Sequence, residues 1–431
     1  MSDKAIKGKE DLEGFSRFVL FQVIIIGILW LADTFFYFFE QNIFNTYITN
    51  VLNLSYLHIT LMVGLSATVG LIMNFVWGII SDNTRSKYGR RRPFLILSIV
   101  AGLGMILAAF SNNYILLLIF DVLLIGITAN AVSVASRALI PDVAELEKRG
   151  RANGIVQAVS YLGLIFGLVI FLLFESELGS TDPKIVLNTH IVVLTVGGIV
   201  YLVSGVIGFI FIKEKPPSEL PPKKKFSTEL KELVDISLLK SQKNFFRVIV
   251  ATSIYQTGIG CVMAYLFPLL TDPLLFPFGM EELLIAIGIG FIILVLGVIF
   301  LGRLADKYGR KKFMPGVILL ISIAFFFIPY SITSSQVVLF IVLTPFMLLG
   351  LLGLNTIINA WAQDTLPEGK KGQFYGIFNI TLTVPQIIGG IFGGLVAEIF
   401  TPVYIFIPGA IFFLISIPLF LYVKETLNVE E

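Results

Sequence analysis

Twelve apolar runs of about 20 residues recur along the chain, at 18–42, 57–81, 93–111, 114–140, 152–174, 189–212, 246–270, 282–302, 313–331, 336–362, 374–397 and 402–423. Each is as long as a helix must be to cross about 30 Å of hydrocarbon. The runs are continuous rather than alternating, and lipid offers backbone N–H and C=O groups no outside partner, so helices and not strands must carry them. With 56% hydrophobic and only 14% charged residues among 431, the chain lies far from soluble domains, where about a quarter of residues are charged. The fold class expected is all-α and integral to a bilayer.

The first 17 residues are polar, and the first run is long and lacks a small-residue cleavage site, so it reads as an anchor rather than a removed signal peptide. The single cysteine, Cys261, excludes an internal disulfide. His58 and His190 have no partner at zinc spacing and read as satisfied surface histidines. There is no GxxxxGK[ST] loop and no catalytic constellation, so neither an enzyme nor a cofactor is expected. With the N-terminus placed inside, all of the 31 Lys and Arg except Lys184 and Arg137 fall on the cytoplasmic side. Both termini are then expected in the cytoplasm, the runs in the plasma membrane, and no contact with nucleic acid.

The stretch "GIISDNTRSKYGRRRPF", Gly78 to Phe94, opens the loop after run 2, and part of it returns 220 residues later: "KYGRRR" at Lys87 to Arg92 becomes "KYGRKK" at Lys307 to Lys312. GxxxD precedes each copy, Gly78 to Asp82 and Gly302 to Asp306. "RGRANGI" at Arg149 and "KGQFYGI" at Lys371 match as well, so the chain reads as two six-helix halves, 1–212 and 246–431. The linker at 213–245 is Pro- and Lys-rich, with an amphipathic surface helix expected from about Phe226 to Lys240. Duplicated halves with a site at their interface are how many secondary transporters are built.

Asp82 and Asp306 fall at helix C-termini, where the macrodipole disfavours an acid, so each needs a basic partner. Arg90, beside Gly89, and Arg310, beside Gly309, are within loop reach, and a contact formed between the halves there would serve as a gate. Gly78 and Gly302 would let helices approach closely.

These motifs resemble the loops of the major facilitator superfamily, over essentially the whole chain. More narrowly, "SDNTRSKYGRRRPF" and "NAVSVASRALIPDVAELEKRGRANG" are similar to the glycoside/pentoside/hexuronide cation symporters and the sucrose:proton symporters. The resemblance implies a substrate-binding role for Arg137 in run 4 and an inner gate at Asp82. The acids that hold the cation in melibiose-type relatives are replaced here by Gly70 and Asn74, and the acid tied to proton coupling in sucrose symporters by Gly126.

Few ionisable groups remain inside the runs, and each is a functional-site hypothesis. Asp33, Tyr37 and Glu40 share one helical face, one turn beyond Trp30. Asp33 is the expected proton acceptor, with Glu40 in the vestibule. Asp121 falls nearer the outer end of run 4. The alternative for Asp33, a structural pair with Arg137, is opposed by their different expected depths. Polar stripes point to a shared cavity: Asn130, Ser133 and Arg137; Gln157 and Tyr161; Gln256; Asn355 and Asn359; Asn379 and Gln386. Amides and hydroxyls with one cation suit a neutral polyol. Trp77 and Trp361 are expected in the interfacial belt. The function expected is proton-coupled symport of a sugar or glycoside by a monomer in the bilayer. The alternative is a proton-driven exporter of amphiphilic molecules, to which the 39 phenylalanines are suited.

Overall fold

A computed structural model describes residues 16–144, 148–214, 242–366 and 371–425, without the side chains of 150, 306, 371–373, 375, 376 and 379. The helix expected over 226–240 and the side chains of Asp306 and Asn379 lie outside the described set. The described chain is all helical apart from turns and one isolated bridge, Ser86 to Gly89.

The first six helices are α1 (Arg17–Val51), α2 (Tyr56–Asn83), α3 (Arg92–Ala108), α4 (Tyr114–Val143), α5 (Arg149–Leu178) and α6 (Pro183–Phe211). The second six are α7 (Lys243–Leu270), α8 (Met280–Tyr308), α9 (Arg310–Thr333), α10 (Val337–Asp364), α11 (Lys371–Ile399) and α12 (Pro402–Tyr422). All except α3 are long and apolar enough to span a membrane, and α3 is a shorter apolar helix.

Helix pairing repeats between the two sets. α1 packs on α5 and α6, α2 on α4, and α3 on α6; in the same order α7 packs on α11 and α12, α8 on α10, and α9 on α12. Between the sets, α2 meets α11 and α5 meets α8, the two contacts that a twofold exchange of the halves would interconvert. In lipid there is no hydrophobic drive to bring helices together, so close approach through small residues carries the packing. A Cβ on Gly389 would stand 2.0 Å from the Thr257 carbonyl, where α11 crosses α7, and one on Gly102 would stand 2.4 Å from the Gly198 carbonyl, where α3 crosses α6.

We call the end carrying the basic loops the basic end and the opposite one the distal end. The basic ends of the two sets share a construction. Gly89 and Gly309, at matching places in the repeated motif, have φ of 114° and 81°, in the left-handed region where a side chain is disfavoured. Gly78 and Gly302, expected to allow close helix approach, have open space where a Cβ would stand.

Two expectations about single residues are corrected. Trp361 is not in an interfacial belt but fully buried, stacked on Phe420 with ring centroids 5.9 Å apart, and Trp77 turns its indole N–H inward to the Ile127 carbonyl at 2.8 Å. His190 is buried rather than on the surface, held between the Thr46 hydroxyl at 3.0 Å and the Val186 carbonyl at 2.8 Å. Apolar runs are compatible with lipid and with a protein interior alike, so sequence does not tell which neighbour a given face meets.

Candidate functional site

A cavity of about 1130 Å³ lies between the two sets of helices. Its polar wall comes from the first set. Asp33 and Arg137 are side by side there, Nη2 to Oδ2 at 3.7 Å, the pairing that the expected depths had argued against. Helix α4 breaks at Ala138 and Leu139, and Arg137 ends its regular part, facing α1. Ser133 donates to Asp33 Oδ2 at 3.0 Å and the Tyr201 hydroxyl to Oδ1 at 3.2 Å, so the buried carboxylate is fully engaged. The Arg137 guanidinium lies 5.6 Å from the centre of the Trp30 ring, yet 64% of its side chain is exposed to the cavity. Buried charge is tolerated only when paired and hydrogen-bonded. Here one partner is locked and the other is presented.

Asn130 also lines the cavity, its amide N–H₂ on the Gly126 carbonyl at 2.7 Å and its side chain against Gly70. Tyr37, Glu40, Gly70, Asn74 and Gly126 are on the wall, so the three positions singled out by the sequence resemblance, Gly70, Asn74 and Gly126, do face the cavity. Asp121, which the sequence reading left near an outer end, lines it too. It is buried, and neither of its carboxyl oxygens has a hydrogen-bond partner among the described residues; Glu40 lines the same wall, its Oε1 accepting from Ser66 at 3.2 Å. An acid inside a membrane run was signal enough to include it.

The wall from the second set is different. Met263, Phe267, Phe276, Phe291, Phe340, Met347 and Phe406 line it, together with leucines and isoleucines, and among the described residues Thr344, Thr383 and Gln386 are its only side-chain hydrogen-bonding groups. The polar stripe expected there is used up between helices. Gln386 donates to Gln256 at 3.0 Å, Gln256 to Asn355 at 2.9 Å, and Asn355 to the Leu351 carbonyl at 3.3 Å, joining α11, α7 and α10. Gln256, Asn355 and Asn359 are not on the wall. Gln157 and Tyr161 are exposed beyond it, on the basic-end continuation of the face that presents Leu164, Leu168 and Phe171.

At the distal end the cavity is closed by contacts between the two sets. Asn45 donates to the Ala264 carbonyl at 2.8 Å, Asn50 to the Thr271 hydroxyl at 3.0 Å, and the Thr60 and Tyr265 hydroxyls meet at 2.8 Å. Phe171 and Phe267 pack edge to face at 4.5 Å. The sequence reading missed this seam, since single Asn, Thr and Tyr residues in apolar runs carry no pattern.

At the basic end, ion pairs between described side chains form within each set. Asp82 pairs with Arg91 and, at 3.9 Å, with Arg90 of its own loop, and Arg90 Nε donates to Asp142 at 3.1 Å. Asp82 has the expected basic partners, but in this conformation the contact does not join the halves. Arg310 pairs with Asp364 in the equivalent place. Glu214 accepts the backbone N–H of Arg90 at 2.9 Å, of Arg91 at 3.0 Å and of Arg92, capping the start of α3, and Glu425 accepts from Lys311 N–H at 2.8 Å. "KE" at 213–214 and 424–425 is thus a further repeat that the sequence analysis overlooked. With the distal end sealed and Arg137 exposed, the cavity opens toward the basic end.

The sequence matches the profile of the Major Facilitator Superfamily over residues 29–390 and 278–430. It is similar to the uncharacterized MFS-type transporter YqjV of Bacillus subtilis (strain 168), with 23% identity over 374 residues covering 84% of this chain and 83% of the relative. Solved structures of like fold include the nucleoside transporter NupG, with TM-score 0.69, 13% identity and coverage of 93% of this chain and 98% of that one. Another is a D-xylose-proton symporter, with TM-score 0.67, 15% identity and coverage of 94% and 99%. A third is a bacterial homolog of the human lysosomal transporter Spinster in an inward-facing conformation, with TM-score 0.67, 14% identity and coverage of 95% and 97%.

Two outcomes follow from this geometry. A Cβ on Gly394 would stand 1.9 Å from the Thr60 hydroxyl, so Gly394→Val is expected to hold the distal seam open. Alkylation from the distal side of a cysteine placed by Met62→Cys on the cavity wall should then accelerate several-fold; an unchanged rate would mean that the seam tolerates the branch. Burial holds the Glu214 carboxyl above its ordinary value of 4.5, outweighing the N–H groups that favour its charge. An acid whose value is raised on folding contributes stability that is present below about 4.5 and lost as pH rises through the folded value. Glu214→Gln should therefore flatten the pH dependence of the thermal midpoint in that range. Glu214→Ala should lower stability by about 1–3 kcal/mol at every pH by leaving donors without an acceptor.

Proposed function

The chain belongs to the Major Facilitator Superfamily, and on that premise we propose that this multi-pass membrane transporter couples protons to the movement of an amphiphilic glycoside, a polyol head joined to an apolar group. The observation that carries the reading is the division of the cavity wall. Arg137, Asn130, Asn74 and Tyr37 offer directional hydrogen bonds to hydroxyls on one side. On the other, the phenylalanines and methionines of the second set offer an apolar bed with few polar groups. A free sugar would leave its hydroxyls unpaired against that bed, which costs binding. An aryl group burying about 100 Å² there contributes about 2.5 kcal/mol, close to two orders of magnitude in affinity.

Transport would proceed by rocking the two sets about the cavity. The distal seam and a basic-end closure alternate, the protein acting as a monomer in the plasma membrane with its basic end in the cytoplasm. At the basic end the repeated loops serve the alternation in another way than as a contact between the halves: Asp82 with Arg90, and Arg310 with Asp364, stiffen each set so that it moves as one body. Asp33 holds Arg137 in place for the substrate, which makes Glu40, expected in the vestibule, better placed than Asp33 to accept the proton. A second reading, proton-driven export of amphiphiles, is favoured by the same apolar bed and differs in direction.

The test is uptake into proteoliposomes with an imposed pH gradient. A labelled aryl glycoside should accumulate with the proton gradient and compete at least about tenfold better than its parent disaccharide. Ejection against the gradient would support export, and movement of the free sugar alone would overturn the amphiphile assignment. Arg137→Ala should abolish binding of the glycoside in protein that stays folded, at a lower thermal midpoint because Asp33 loses its cation; retained binding would remove that role.

A further inference from the structure

Three acids inside the membrane spans line the cavity wall, and among the described residues only one has a basic partner. Asp33 is matched by Arg137. Glu40 and Asp121 line the same cavity without one, and neither Asp121 oxygen has a hydrogen-bond partner among the described residues. Glu40 projects from α1 and Asp121 from α4, with Ser66 of α2 donating to Glu40 at 3.2 Å. Glu40 is 9% exposed and Asp121 1%, and both Asp121 oxygens are shielded from solvent. Neither acid forms an ion pair with a described lysine or arginine.

The backbone marks the same two places. Glu40 sits in a π-helical segment, Phe39–Ile43, and Asp121 in another, Ile119–Ile125. Such wide turns are rare and frequently found at functional sites. Two further wide turns, Tyr47–Val51 on α1 and Leu349–Gly353 on α10, present no acid. The first wide turn on α1 also bears on the seam, because Asn45, which follows it directly, holds both the Gln41 carbonyl at 2.7 Å and the Ala264 carbonyl of the second set at 2.8 Å. The second of these bonds ties the segment that carries Glu40 to the second set.

We propose that Glu40 and Asp121 form a proton-binding carboxyl pair whose loading is tied to closure of the distal seam. Two carboxylates pressed together away from water cannot both be ionised, so closing the seam over them requires one proton to be taken from the distal side. The proton is shared between the two carboxyl groups while the seam is closed and leaves through the cavity, which both residues line. The titratable groups facing the pair are Tyr37 on α1 and Tyr114 on α4, with Asp33 and Arg137 farther along the wall. The cavity wall of the second set contributes no charged side chain among the described residues. At the seam itself Asp272 and Glu398 face Tyr56. This assignment deepens the proton-coupling reading above and rests on it for the transport measurement, though not for the structural one.

The test uses Asp121→Asn and Glu40→Gln in the full chain. In proteoliposomes both should keep counterflow exchange of the aryl glycoside, which needs binding and alternation but no driving ion, and lose uphill accumulation by about tenfold or more. In parallel, spin labels at Leu57→Cys and Leu274→Cys, exposed on opposite sides of the seam, report its closure in detergent. In the otherwise native chain the closed population should fall as pH rises and both carboxyls ionise. In either variant it should be larger at high pH and less pH-dependent, while any contribution from Asp272 and Glu398 persists. Native accumulation by Asp121→Asn, a closure profile unchanged in both variants, or accumulation driven by a sodium gradient in place of protons would overturn the proposal. If the native chain accumulates nothing under either gradient, the transport reading falls, and the closure profile still decides the pair.

Discussion

The cost of holding charge away from water organises this molecule. A charged side chain in hydrocarbon costs several kcal/mol unless it is paired or wet, and the chain meets that cost in one half only. Asp33 is buried against a cation and two hydroxyls, Glu40 accepts from Ser66, Asp121 is buried, and all three line the cavity wall of the first six helices. The facing wall of the second six, equal in length and helix pairing, has phenylalanine and methionine instead. The two halves kept one scaffold and diverged in what they present to the centre.

The scaffold is retained where geometry demands it. Gly89 and Gly309 both take a positive φ, Arg90 and Arg310 both reach an Asp at the end of the fourth helix of their set, and Glu214 and Glu425 both accept N–H groups at the start of the third. These contacts stiffen the basic end of each set. Among the described residues, polar contacts join the sets at the distal end, from Asn45, Asn50, Thr60, Tyr265 and Thr271. Stiff halves joined by a small seam of hydrogen bonds, each worth about 1 kcal/mol net, suit a molecule that must exchange one closure for another.

Several site residues were legible beforehand and several were not, for one reason. Arg137, Asp33, Glu40 and Asp121 stand out because a charge in an apolar run has few explanations. Asn130, Ser133 and Tyr37 follow from helical spacing with them, and all three reach the cavity wall. Gln256, Asn355 and Gln386 have the same spacing logic, but they bond to one another across α7, α10 and α11. An amide that binds a ligand and one that ties two helices look alike in a sequence. The Asp33–Arg137 pair was misjudged because depth was counted along straight helices, whereas α4 breaks just after Arg137.

By itself the amino-acid sequence determined the twelve helices, their duplication and the basic loops, because crossing hydrocarbon demands run length, and sidedness demands Lys and Arg at the ends. Tertiary structure alone decided which faces meet the cavity, which meet lipid and which end is closed. Lipid and protein interior are equally apolar, so a run hydrophobic all round carries no record of the direction in which it faces.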